Sequence, residues 1–164
     1  MQIRNSAESD IGRIMEIYRR ARAFMAAHGN PRQWGATNWP PEALIRRDIR
    51  ERKSYVCLND AGEVIGTFFY DHGTDIEPTY RQMEGGHWRD GSPFGVVHRL
   101  ASAGGEKGVG TFCLNWAFAQ SGHLKVDTHG DNTVMQSLLT GLGFTRVGII
   151  HVAEDNDPRI AFEK

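Results

Sequence analysis

Long apolar runs are absent from this chain of 164 residues. No stretch approaches the roughly 18 to 20 apolar residues that a membrane-spanning helix needs, so no membrane partner is expected. Excess charge is absent too. Nineteen Lys and Arg against 20 Asp and Glu leave a net charge of −1, which gives no electrostatic basis for binding nucleic acid or an anionic surface. Cysteine is scarce, and the two present, Cys57 and Cys113, lie apart in apolar segments. They are expected to be core thiols of a reducing compartment, not a disulfide framework. Residues 1–30 are charged and amphipathic, without the layout of a secretory signal, and a cytoplasmic protein is the expectation. Repeats, low-complexity tracts and long linkers are missing, and the length suits one domain over residues 1–164 with room for a core.

What is present concentrates between Val96 and Phe144. Pro93 to Ser102 reads as a buried or half-buried strand, and Ala103-Gly104-Gly105-Glu106-Lys107-Gly108 as a loop. Val109, Phe112, Cys113, Trp116, Ala117 and Gln120 then recur at helical spacing, with a core-facing stripe expected along them. A glycine loop that opens a helix offers unpaired N–H groups and the positive end of the helix dipole, and Lys107 adds a mobile charge. Such a loop holds phosphate, or else it is a tight turn with no ligand. The nucleotide-triphosphate loop is excluded, because it needs Lys after its last glycine and Lys107 precedes Gly108. Dinucleotide binding stays open as an alternative. Cys113 stands where its third glycine belongs, although Asp127 lies at a suitable distance for a ribose-binding acid.

A second strand-to-helix junction follows. Leu124 to Thr128 reads as a strand, Asn132 as the cap of a helix carrying Val134, Met135, Leu138, Leu139 and Leu142, and Gly143 as its left-handed stop. Earlier, Gln2-Ile3-Arg4 is a short strand. A long helix marked by Ile11, Ile14, Met15, Tyr18, Ala21 and Met25 is entered from Ser6 or Ser9. A second helix runs through Leu44, Ile45, Asp48 and Ile49. Tyr55–Leu58 and Val64–Tyr70 form strands around the turn Asn59-Asp60-Ala61-Gly62, and 71–92 is polar and irregular. His123, Asp127 and His129 match no established zinc spacing, so no metal is expected.

The order strand, glycine turn, helix, strand, Asn-capped helix, Gly-Phe, strand resembles the GCN5-related N-acetyltransferase (GNAT) superfamily. Arg99-Leu100-Ala101-Ser102, Lys107-Gly108-Val109-Gly110, Asp127-Thr128-His129 with Asp131-Asn132, and Leu142-Gly143-Phe144 carry the likeness. Gln33-Trp34 and Asp157–Lys164 resemble a bacterial branch of it. The resemblance implies an α/β (α+β) fold with a central mixed, mostly antiparallel, V-shaped split sheet and helices on both faces. It further implies acetyl-CoA as co-substrate and acetyl transfer to an amine of a small molecule or a protein. By the resemblance, the backbone of Leu100, Ala101 and Ser102 would pair with the pantetheine arm. Lys107, Gly108, Val109, Gly110 and Thr111 would hold the pyrophosphate, and Asn132 would sit near the thiol.

His98 is the candidate base or proton relay, since a histidine titrates near neutrality and alternation puts it on the face of Leu100 and Ser102. His98-Arg99-Leu100-Ala101 also resembles the serotonin N-acetyltransferases, which carry a histidine there. A hydrogen-bonded strand histidine is the other reading. Trp34, Thr37, Trp39, Phe69 and Trp88 would line the acceptor pocket, or serve ordinary packing. Two positions depart from the family pattern. Leu139 stands where many members have a tyrosine that protonates the leaving thiol, and Gly105 where many have Arg or Gln. A catalytically weak or inactive acyl-CoA-binding module is therefore a further alternative. Exposed strand ends leave a homodimer open.

Overall fold

The computed structural model describes residues 1–35, 37–152 and 157–164. Its elements are β1 (Gln2–Asn5), α1 (Ile11–Ala27), α2 (Glu42–Arg50), β2 (Ser54–Leu58), β3 (Val64–Gly73), β4 (Phe94–Ser102), α3 (Val109–Ser121), β5 (Leu124–His129), α4 (Thr133–Gly141), β6 (Thr145–His151) and β7 (Pro158–Glu163), with short 3-10 turns at Glu8–Asp10 and Pro78–Arg81. The fold is mixed α/β, with a seven-stranded, mostly antiparallel open sheet in the order β1-β2-β3-β4-β5-β7-β6. The pairing of β4 with β5 is parallel and is registered at Gly95–Leu124 and Val96–Lys125. Contacts divide the chain into two compact units, Met1–Tyr70 with His98–Trp116 and Asp71–Val97 with Ala117–Lys164.

In the first unit β1, β2 and β3 form an antiparallel meander around the turn read from Asn59-Asp60-Ala61-Gly62. The Asn59 side chain closes that turn by accepting the N–H groups of Ala61 and Glu63. The helical stripe of α1 is as its spacing predicts, with Ile11, Ile14, Tyr18 and Met25 buried. Ile11, Ile14 and Tyr18, together with Ile17, Ile45, Val56 and Ala101, make an apolar core. The entry to α1 differs from the expectation that Ser6 or Ser9 caps it. Ser6 is buried and bonded to Ser54 Oγ at 2.8 Å. Asp10 closes the turn instead, accepting the Ala7 N–H at 2.7 Å. Cys57 and Cys113 are buried free thiols, as their apolar neighbours predict.

In the second unit β5 and β6 flank β7 in antiparallel register. Segment 71–92 is less irregular than its polarity suggests. It carries the end of β3, the 3-10 turn and a bridge from Glu84 to Ile149. The α4 stop is a left-handed glycine motif: Gly143 has φ 83°, its N–H reaches Thr140 O, and Phe144 N–H reaches Leu139 O at 3.0 Å.

The stripes of α3 and α4 are narrower than their sequences suggest. Val109, Cys113, Leu114 and Ala117 are buried, while Phe112 is exposed and Gln120 faces solvent. With each residue advancing about 100°, the buried arc of α3 centres between Cys113 and Ala117, and Phe112 lies beyond its edge. On α4, Leu139 is fully buried and Val134 is exposed.

Candidate functional site

The glycine loop is built by backbone conformation. Gly105 and Gly108 have φ of 89° and 81°, values that only glycine adopts without strain. Nothing lies within 4 Å of where a Cβ would stand on Gly104, Gly105 or Gly108. The loop thus presents bare backbone to open space. It then enters α3 at once, Phe112 N–H reaching Gly108 O at 2.9 Å. The N–H groups of Val109, Gly110 and Thr111 precede that first bond, so they have no partner within the helix. Lys107 is exposed beside them. Glu106 anchors the loop to the β2–β3 turn by accepting from Asn59 Nδ2 at 2.9 Å.

Upstream, Ala103 N–H donates to Ile65 O of β3 at 2.8 Å. Amide direction alternates along a strand, so the N–H groups of Ser102 and Leu100 point away from β3. Ala101 is 6% exposed and packs in the apolar core, whereas Ser102 is exposed. The anticipated alternation from His98 through Leu100 does not hold, because Arg99 adopts φ 54° in mid-strand. As a result the neighbours His98 and Arg99 meet the same ring. The His98 imidazole lies 5.8 Å from the Phe69 centroid, and the Arg99 guanidinium 4.8 Å from it. A regular strand sends adjacent side chains to opposite faces.

Arg99 is held at both ends. Tyr18 Oη donates to its carbonyl oxygen at 3.1 Å, and its Nη2 donates to Asp48 Oδ2 at 2.5 Å. Both partners are deeply buried. Burial pushes the Tyr18 phenol up to about 12. Burial also raises the Asp48 carboxyl above its ordinary range, against the pull of Arg99. The Arg99 Nε is buried and has no hydrogen-bond partner among the described residues.

The anticipated acceptor residues belong to both units. Phe69 meets His98 directly. Trp34 stands edge-on to Tyr18 at 5.8 Å and so joins the same cluster through Arg99. Trp39 is half-buried and donates its N–H to Trp34 O at 3.0 Å, and Thr37 is exposed. Trp88 belongs to the second unit. There its indole N–H reaches Tyr80 O at 2.8 Å, and its ring lies 4.5 Å from Lys125 Nζ.

Asn132 is the helix cap that its position predicts, its Oδ1 accepting Met135 N–H at 3.1 Å. Leu139 lies in the core and offers no hydroxyl. The three residues weighed as metal ligands serve separate partners: His123 bonds Ser92 and Glu163, Asp127 accepts from Tyr80, and His129 bonds Asp157. Among the described residues no group of three or more His, Cys, Asp or Glu side chains could hold a metal ion. No helix among them is long and apolar enough to cross a membrane.

Sequence reading did not join Tyr18, Asp48 and Arg99 into one cluster. One signal was available. Asp48 sits three residues after Ile45 and beside Ile49, on the apolar stripe of α2, where a carboxylate needs a buried partner.

No protein-family model matches the chain, and no curated protein matches it by sequence. Solved structures do. A GNAT-family acetyltransferase from Streptococcus agalactiae superposes with a TM-score of 0.80 at 26% identity, covering 99% of this chain and 94% of that one. A GNAT-family acetyltransferase from Listeria monocytogenes gives 0.73 at 14% identity, over 99% and 93%. Arabidopsis thaliana NAA60 in complex with acetyl-CoA gives 0.67 at 11% identity, over 99% and 97%.

Proposed function

The chain has the fold of the GNAT superfamily, and on that premise we propose that it is an acetyl-CoA-dependent N-acetyltransferase acting directly on an amine of a small molecule or a protein. The observation that carries this is the bare glycine loop at the start of α3. Three glycines with open space over them, followed by three helix N–H groups without intrahelical partners, suit a pyrophosphate in shape and in charge.

In this reading the outward N–H groups of Leu100 and Ser102 pair with the pantetheine amides, and one of them polarises the acetyl carbonyl as negative charge develops on its oxygen. Ala101 contributes by packing. Lys107 to Thr111 hold the pyrophosphate. His98 removes the proton that the acceptor ammonium must lose before its nitrogen attacks. Phe69 and Trp34 bound the acceptor, and Asn132 stands near the thiol while capping α4. A cytoplasmic setting accords with this chemistry. Because Leu139 is buried and apolar, proton delivery to the departing thiolate falls to water or to another group. That same observation favours, as a second reading, a binding module with little turnover.

Thermal unfolding with acetyl-CoA, and separately with NADH, tests the cofactor. Ligand at about a hundred times its Kd adds roughly 2.7 kcal/mol, several degrees for a chain of this size. Stabilisation by acetyl-CoA alone is expected. A shift with NADH alone, or none with acetyl-CoA, overturns the proposal. Coenzyme release across a panel of amines then separates the transferase from the binding module.

A further inference from the structure

Arg99 is held in a left-handed conformation in mid-strand, and neither the glycine loop nor proton transfer explains why. An arginine at φ 54° is strained, and such a conformation persists only where its surroundings over-determine it. Here they come from three other elements. Tyr18 of α1 holds the carbonyl oxygen at 3.1 Å, Asp48 of α2 holds the guanidinium at 2.5 Å, and Phe69 of β3 lies beneath it at 4.8 Å. The Arg99 and Asp48 side chains are 12% and 3% exposed, so solvent screens the pair little. The residue that follows is Leu100, whose N–H is turned away from β3 by alternation from the Ala103 N–H that bonds Ile65 O.

We propose that Asp48 and Tyr18 are positioning residues for acyl transfer, which act by clamping Arg99 in its left-handed conformation and so aiming the Leu100 N–H at the acetyl carbonyl. This inference rests on the acetyltransferase reading above. With the clamp intact, the strained residue cannot relax to an ordinary strand conformation, which would turn the Leu100 amide plane. Without it, the coenzyme is still held through the loop before α3, but its carbonyl is no longer polarised.

The experiment uses acetyl-CoA labelled with 13C at the acetyl carbonyl and follows the bound carbonyl resonance by NMR. Kd for acetyl-CoA, and kcat with whichever amine supports turnover, are measured alongside. Wild-type protein is expected to move the resonance downfield on binding, as a hydrogen-bonded carbonyl does. Asp48→Ala should abolish that displacement and lower kcat by about 100- to 1000-fold, while Kd changes by less than about threefold. The double variant Asp48→Ala with Arg99→Gly removes the unpaired charge and lets a glycine take φ near +54° without strain. It should recover both resonance and kcat, which a merely stabilising ion pair would not predict. Tyr18→Phe should reduce the displacement in part, and it carries the test should Asp48→Ala not fold.

A wild-type resonance in Asp48→Ala or in Tyr18→Phe overturns the clamp. So does a folded double variant that fails to recover, since Arg99 would then be needed for its own side chain. Wild-type protein that binds acetyl-CoA with no displacement overturns this inference alone, whereas wild-type protein that does not bind acetyl-CoA overturns the acetyltransferase reading itself, and this inference with it.

Discussion

Gly66 in β3 and Val109 at the start of α3 are packed so closely that a Cβ on the glycine would lie 2.6 Å from the valine Cγ1. The Ala101 carbonyl oxygen would be 3.3 Å away and Cys57 Cβ 3.4 Å, so the added atom has no free side on which to settle. The seat of the glycine loop is thus fixed by a strand more than 40 residues upstream. Gly66→Ala should push the first turn of α3 outward. Overpacking of this kind costs about 1–3 kcal/mol, and Tm should fall by roughly 2–10 °C. Affinity for acetyl-CoA should drop with it, read by calorimetry. An unchanged Kd in a destabilised variant would separate the loop from its support.

The Asn132 side chain caps α4 by accepting Met135 N–H, and it has a proposed role beside the thiol. Asn132→Ala should cost about 1 kcal/mol, a loss of roughly 2–4 °C in Tm. Asn132→Ser keeps an oxygen at the cap and should restore the melting temperature. If the amide also meets the coenzyme, Ser will leave the Kd for acetyl-CoA weakened, and a full recovery of affinity would reduce Asn132 to a cap.

Arg4 grips Asp10 through two hydrogen bonds, at 2.7 and 3.0 Å, and these, with the Ala7 N–H, hold the Asp10 carboxyl below its ordinary value. A carboxylate with a depressed folded pKa binds fewer protons in the folded state than in the unfolded chain. Its stabilisation is therefore complete above a pH of about 4 and is lost as pH falls further. Asp10→Asn should melt roughly 3–5 °C below wild type near neutrality. The gap should close as both proteins are taken below a pH of about 4. A gap that stays constant down to pH 2 would mean that the ionised carboxylate contributes nothing at this corner.

His98→Ala should lower kcat by about 100-fold or more and leave the Kd for acetyl-CoA near its wild-type value. An unchanged pH–rate profile would remove His98 from proton transfer and leave it as a packing partner of Phe69.

Local chemistry made part of this protein legible from residues alone. The glycine loop before Val109, the cap at Asn132 and the stop at Gly143 each depend on conformations set within one turn of chain, where glycine and a short amide have no good substitutes. The helix stripe of α1 and the strands around Asn59 to Gly62 were legible for a related reason, since burial of one face imposes a period on the sequence.

The centre of the first unit was decided elsewhere. A strand period of two puts His98 and Arg99 on opposite faces, and nothing next to Arg99 announces that it turns left-handed. That conformation is held by Tyr18, Asp48 and Phe69, residues distant in sequence and brought together only when α1, α2 and β3 pack. The exposure of Phe112 and the burial of Ser6 against Ser54 have the same origin. Both follow from which neighbour each residue meets, a choice that no single segment encodes. The amino-acid sequence by itself determined where the backbone turns and which faces are apolar. Tertiary packing alone decided which strained residue could be held, because the groups that hold it come from separate elements.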